Sequence, residues 1–290
     1  MSERHGRPAN PTAEAGGLKP TSLISVQSGY ASDVGRLRRV NQDSLLATKA
    51  FFAVADGMGG HAAGEVASRL AVARLRRLAE RSQFNPDDVR AELITANDDI
   101  LASAEQHPEH RGMGTTVAGL GVVRIAGADH WVVFNVGDSR VYRLVDGAMV
   151  QVTVDHTEVA EMVAAGELTA DDAQFHPRRH IVTRALGSDP APEPDVWVFP
   201  PTSGERFLVC SDGLLLEIRE PEIIELLSTE PAPQRAADEL VRRAKAYGGR
   251  DDVSVIVVDY VAEFGTSTTA PGATGIDDTL PRSRRTEPVG

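Results

Sequence analysis

Five aspartates stand at the ends of short apolar runs, a position from which carboxylates can meet at one edge of a β-sheet. Asp56 follows residues 51–55, Asp138 follows 131–137, Asp212 follows 207–211, Asp251 precedes 253–258 and Asp43 precedes 44–46. A lone Asp-Gly pair after a strand reads as a turn, and Asp146-Gly147 serves as one here. Five strand-end acids weaken that reading. Gathered together they would repel one another and raise their own pKa values unless cations stood between them. An all-oxygen donor set favours Mg2+ or Mn2+ over zinc, and a single cysteine, Cys210, permits no thiolate cluster. Two such ions about 3.5 to 4 Å apart can clamp and activate a water for displacement at phosphorus.

The loop after residues 51–55 admits a competing chemistry. Gly57-x-Gly59-x-x-Ala62, between a strand and a helix, matches a dinucleotide-binding fingerprint. Asp56 would then face an anionic pyrophosphate, and residues 82–110 read as loop and helix where a second parallel strand should follow. The nucleotide reading is therefore rejected. His176 and His180 have helical metal spacing, but Pro177 between them argues for a loop, so no zinc site is read there. Cys210, inside an apolar run, reads as a small core residue.

Positioning these acids needs many strands. β-rich runs fall at residues 23–27, 44–48, 51–55, 116–125, 131–136, 139–145, 149–152, 196–199, 206–210 and 254–261. Asp146-Gly147 between two of them signals a hairpin and hence antiparallel pairing. Helices come in pairs. Residues 62–81 carry Val66, Ala67, Leu70, Ala71, Leu75 and Leu78 as one stripe, and residues 86–106 open with proline and two aspartates suited to the helix dipole. Two later helices, 221–227 and 233–247, precede the last strand. Strands bracketed by helix pairs predict a layered α+β domain with sheets packed together and helices outside.

Composition narrows the partners. The chain has 290 residues, 41% apolar and 25% charged, with a net charge of −12. That acidity disfavours nucleic acid. Apolar runs are far too short to span a bilayer, and residues 1–20 carry no apolar secretory stretch, so a cytoplasmic protein with no membrane partner is expected. Residues 1–20 and 263–290, rich in Pro, Gly, Ser and Thr, read as disordered tails around one domain at 21–262, with the basic cluster Arg282, Arg284 and Arg285 solvated.

Several strings together resemble one family. They are Arg38-Arg-Val-Asn41-Gln42-Asp43-Ser44, Val54-Ala-Asp56-Gly57-Met-Gly59-Gly60-His61-Ala-Ala-Gly64-Glu65, Gly114-Thr115-Thr116, Asn135-Val-Gly137-Asp138-Ser139-Arg140, Asp155-His156-Thr157, Cys210-Ser211-Asp212-Gly213 and Gly249-Arg250-Asp251-Asp252-Val253-Ser254. In order and in kind they resemble the bacterial branch of the metal-dependent protein phosphatases, the protein phosphatase 2C type. The resemblance spans residues 23–261 and implies a four-layer α-β-β-α sandwich of two antiparallel sheets with helices on both outer faces. It implies a monomeric serine/threonine phosphatase acting on phosphoserine and phosphothreonine proteins and opposing serine/threonine kinases in bacterial signalling. Two Mn2+ or Mg2+ ions per chain are implied, with a weaker third.

Residue by residue, Asp56 would bridge the two ions with the Gly57 carbonyl on one, and Asp212 and Asp251 would complete the other site. Asp138 matches the position that helps hold a third metal, and Asp43 joins the metal set as a neighbouring acid. Arg38 would grip the substrate phosphate with its planar donor fork. Residues 157–180 fall where the family carries a flap, and Arg178, Arg179 and Arg184 would meet a phosphopeptide or lie solvated.

Three departures stand out. Gln42 occupies a position that is often Glu. Asp252 stands where Asn is common, and would either restore some charge at the metals or face solvent. Met58 replaces a histidine of animal members, leaving His61 as the nearest candidate proton donor or, equally, a helix cap. The alternative reading, a phosphoprotein-binding module without turnover, would be expected to lack a metal aspartate, and Asp56, Asp212 and Asp251 are all present.

Overall fold

The computed structural model of the chain describes residues 24–59 and 63–262. Both expected tails and His61 lie outside the described residues.

The strands are β1 (Ile24–Asp33), β2 (Ser44–Ala47), β3 (Phe51–Ala55), β4 (Gly57–Met58), β5 (Gly114–Thr115), β6 (Val117–Ile125), β7 (Ala128–Val136), β8 (Arg140–Val145), β9 (Ala148–Gln151), β10 (Asp195–Phe199), β11 (Arg206–Cys210) and β12 (Val253–Ala262). The helices are α1 (Ala63–Ala79), α2 (Pro86–Gln106), α3 (Glu158–Ala164), α4 (Ala170–Ala173), α5 (Asp212–Glu217), α6 (Glu220–Thr229) and α7 (Pro233–Tyr247). One sheet runs β1-β12-β11-β8-β9, the second β10-β7-β6-β3-β2, and β4 pairs with β5 in a small ribbon. Every pairing is antiparallel.

Period-two alternation on fully buried strands builds three apolar layers. In β3, Phe52 and Val54 face the other sheet while Phe51, Ala53 and Ala55 face α1 and α2. In β11, Phe207 and Val209 point between the sheets, whereas Leu208 and Cys210 point to α5, α6 and α7. Cys210 is thus the core residue its surroundings predict. The result is the expected α-β-β-α sandwich: α1 and α2 cover one sheet, α5 to α7 the other.

Local chemistry sets the helix bounds. The Asn85 side chain caps α2 and Asp88 closes the box, with Pro86 in the first turn. Leu75 and Leu78 of α1 are wholly buried against β3 and α2, so truncating either to Ala is worth about 2 to 5 kcal/mol. Asp146 and Gly147 both take positive φ, the two-residue hairpin geometry joining β8 to β9.

The differences from the sequence reading are local. β1 extends to Asp33 because it pairs with β12 along its whole length. Residues 157–180 contain α3 and α4, both capped by threonine hydroxyls, Thr157 and Thr169. Asp212 opens α5, a helix too short for periodicity to announce.

Candidate active site

The segment bearing Asp56 is fixed through its backbone. The Asp56 carbonyl accepts from Thr116 N–H at 2.9 Å and from the Thr115 hydroxyl at 2.8 Å, while Asp56 N–H donates to Thr116 Oγ1 at 3.1 Å. The Thr116 and Ser139 hydroxyls meet at 2.7 Å, which ties this turn to the one carrying Asp138. Gly137, at φ +105°, lets that second turn lie against Thr116, where any Cβ would come within 2.6 Å of the threonine side chain. Gly57 needs to be glycine for proximity: a Cβ there would lie 2.1 Å from the Gly64 carbonyl at the start of α1.

These supports bring Asp56, Asp138, Asp212 and Asp251 to one cavity of about 580 Å³. Asp56 and Gly57 come from the β3 to β4 corner, Asp138 from the β7 to β8 turn, Asp212 from the N-terminus of α5, and Asp251 from the approach to β12. Arg38 stands on the wall, and its Nη2 donates to Asp251 Oδ2 at 2.8 Å and lies 2.8 Å from Oδ1. The hydrogen bond to Asp251 holds the guanidinium above its ordinary pKa.

Deep placement among protein atoms makes the ionised acids costly. Burial, reinforced by Asp43, Asp212, Asp138 and Asp251, pushes Asp56 well up. Burial and the nearby Asp212 raise Asp138 to about 7. Asp212 is also raised, by burial and then by Asp251, although a hydrogen bond with Asp56 and the proximity of His180 pull the other way. Asp43 is raised to about 7, chiefly by burial. It lies behind the cavity wall, with Oδ2 accepting from the Ser211 hydroxyl at 2.8 Å and Oδ1 buried without a hydrogen-bond partner.

Among the described residues, no three His, Cys, Asp or Glu side chains are gathered tightly enough to hold a metal ion as they stand. Arg38 occupies Asp251, and the neighbouring acids raise the Asp56 pKa. The donor set nevertheless fits a hard divalent cation. It is all oxygen, its acids resist ionising together, and Asp43 Oδ1 is an orphaned acceptor beside Asp56.

The cavity also collects residues to which the sequence assigned no role or only an open one. His180 and Arg179 line it from the segment after α4, and Arg250 from the turn before Asp251. Arg250 donates from N–H at 2.8 Å and from Nε at 3.0 Å to Glu217 Oε1. Of the three arginines considered for a phosphopeptide, Arg179 alone lines the cavity, while Arg178 pairs with Glu158 and Arg184 with Asp195. His180 had been considered only as half of a rejected zinc pair, and its signal, a histidine beside two arginines, was present. Gln42 and Met58 both line the cavity.

Asp252 corrects one of the alternatives considered for it, the solvent-facing one. It neither lines the cavity nor faces solvent, being 3% exposed. Its carboxylate accepts from the backbone N–H of Gly35 and of Gln42, each at 2.8 Å.

Two packed antiparallel sheets flanked by helices thus carry four aspartates and an arginine at one cavity. The chain belongs to the protein phosphatase 2C family, whose model matches residues 37–254. It is 37% identical over 262 residues to the serine/threonine protein phosphatase PstP of Mycobacterium tuberculosis, a match covering 87% of this chain but 49% of that protein. The chain thus spans about half the length of that relative. It is 36% identical over 244 residues to the serine/threonine phosphatase stp of Listeria innocua, covering 79% of this chain and 94% of the relative. Among solved structures, the catalytic domain of PstP in complex with two manganese ions superposes with a TM-score of 0.74 at 36% identity, over 82% of this chain and 99% of that one.

Proposed function

We propose that the chain hydrolyses phosphoserine and phosphothreonine in proteins, using a water activated at a binuclear Mg2+ or Mn2+ centre, and so opposes serine/threonine kinases in bacterial signalling. The observation that carries this reading is the meeting of Asp56, Asp138, Asp212 and Asp251 in one cavity with Arg38 on its wall. The named activities of the Listeria and Mycobacterium relatives and the manganese ions of the PstP complex support it.

Asp56, the Gly57 carbonyl, Asp212 and Asp251 would hold the two ions, Asp138 would help hold a third, and Asp43 would complete the acidic set. Bound divalent ions would supply Lewis acidity and an acidified water for attack on phosphorus. Arg38 binds the phosphate oxygens, its planar fork offering paired donors to a tetrahedral anion. Its Nη2 is paired with Asp251, an acid that would also help hold an ion. Thr115 and Thr116 keep the Asp56 backbone from shifting as charge develops. The departing alkoxide would take its proton from His61, which follows Gly60 in the sequence, or from His180, which lines the cavity.

The catalytic unit in this reading is residues 21–262, acting as a cytoplasmic monomer on phosphoproteins rather than on nucleic acid or at a membrane. Among the described residues no helix is long and apolar enough to cross a membrane. The test is hydrolysis of p-nitrophenyl phosphate and of phosphoserine, phosphothreonine and phosphotyrosine peptides with Mn2+ and then with EDTA. Full activity in excess EDTA would overturn the mechanism. Tight phosphopeptide binding with no turnover at any metal concentration would favour the binding-module alternative.

A further inference from the structure

Residues 35–42 form a loop whose two ends converge on one buried side chain. Gly35 N–H donates to Asp252 Oδ1 and Gln42 N–H to Asp252 Oδ2, both at 2.8 Å. Between those anchors the loop is pinned by Arg36 N–H donating to the Gly249 carbonyl at 2.7 Å, and it turns through Arg38 N–H to the Gly35 carbonyl at 3.0 Å. Arg38 is the loop residue that reaches Asp251, whereas Leu37 beside it is 80% exposed.

The backbone around Asp252 is equally confined. A Cβ on Gly35 would fall 2.6 Å from the Asp251 carbonyl carbon, and one on Gly213 would fall 2.0 Å from the Asp252 carbonyl oxygen. The segment 251–252 is therefore sandwiched between the Arg38 loop and the first turn of α5, which carries Asp212. One residue touches the three segments that supply Arg38, Asp212 and Asp251 to the cavity.

We propose that Asp252 is the positioning residue for Arg38: its two carboxylate oxygens clamp both ends of the loop and set the guanidinium over the cavity. This rests on Arg38 meeting the substrate phosphate, as proposed above. A carboxylate suits this role, because each of its two oxygens meets one of the two N–H donors on a single short side chain. An asparagine has one oxygen and would turn its amide N–H2 against the second backbone donor, releasing one end of the loop. The aspartate at this position thus compensates for a loop with few packed side chains.

The experiment uses Asp252→Asn and Asp252→Ala in the full chain, with amide hydrogen exchange and p-nitrophenyl phosphate kinetics in saturating Mn2+. In Asp252→Asn, exchange at Gly35 or Gln42 should quicken about tenfold, the size of one lost charged hydrogen bond, while amides of β12 keep their protection. KM should rise about three- to tenfold with kcat changed by less than about twofold. In an Arg38→Ala background the same substitution should leave KM unaltered. Asp252→Ala, which frees both ends, should show the larger exchange effect; if it does not fold, Asp252→Asn carries the test. Unchanged exchange at both amides, or an equal rise in KM with and without Arg38, overturns the proposal. An inactive parent chain would instead reject the phosphatase reading, and the exchange arm would still decide whether Asp252 tethers the loop.

Discussion

Arg38 and Asp251 hold each other across the cavity, one guanidinium nitrogen lying 2.8 Å from both carboxylate oxygens. The cation proposed for phosphate and an anion proposed for metal are thereby one ion pair. If both proposed roles hold, release of one partner would favour the other, and metal and phosphate binding would be linked through this contact.

Arg38→Ala should weaken phosphate capture and free Asp251 at the same time. KM for an aryl phosphate should rise more than kcat falls, while Mn2+ should bind about two- to fivefold more tightly, as befits a half-exposed pair. Calorimetric Mn2+ titration of the variant checks this, and weaker metal binding would show that the pair does not compete.

Asp56→Asn and Asp212→Asn should abolish turnover while leaving the fold intact. Both acids are costly to ionise where they stand, so a neutral amide should hold or raise the melting temperature in EDTA. The rise in melting temperature on adding Mn2+ should disappear. A variant that melts well below the parent in EDTA would mean these carboxylates are structural.

Metal-free stability should fall as pH rises. Asp43 and Asp138 are raised from 3.8 to about 7, so between those values the folded chain keeps protons that the unfolded chain has released. Their contribution is full below the unfolded value and is lost as pH climbs through about 7. Melting in EDTA should therefore come at lower temperature at pH 7.5 than at pH 5.5, and saturating Mn2+ should shrink the difference. A metal-free chain more stable at the higher pH would contradict the burial of these acids.

Gly64→Ala should disturb the Asp56 corner from a distance. The new Cβ would lie 2.6 Å from the Gly57 carbonyl oxygen and 2.9 Å from Gln42 Nε2. The backbone must give way, costing about 1 to 3 kcal/mol, and the Mn2+ needed for half-maximal activity should increase. Denaturant unfolding and a metal titration measure the two effects, and parent-like values in both would refute the close-approach role.

Gln42→Glu should lower the Mn2+ concentration for half-maximal activity by about tenfold, since a carboxylate on the cavity wall adds a full charge where the amide offers a dipole. The kcat at saturating metal should change less. A titration showing unaltered affinity would place the side chain's influence elsewhere.

The order of elements was legible in the chain because burial on two faces leaves its mark on each strand. Phe51 to Ala55 and Phe207 to Cys210 are apolar throughout, and their alternate residues serve two different cores. The apolar stripe of α1 and the proline and aspartates opening α2 were equally plain, whereas α3, α4 and α5 were too short for periodicity to show. The acids announced themselves by standing where apolar runs stop.

Tertiary structure alone decided which residues share the cavity. Asp43, one residue from Gln42, lies behind the wall, because neighbouring residues on an extended segment point to opposite sides. His180 and Arg179 reach the cavity from a segment whose loop character gave no direction to its side chains. Asp252 and Asp251 differ most sharply despite identical chemistry. One lies at the cavity with Arg38, while its neighbour is spent on two backbone N–H groups of a loop more than 200 residues earlier, roughly the separation seen in the contact with Gln42. Side-chain type names the chemistry a residue can do, but only long-range packing determines which partner satisfies it.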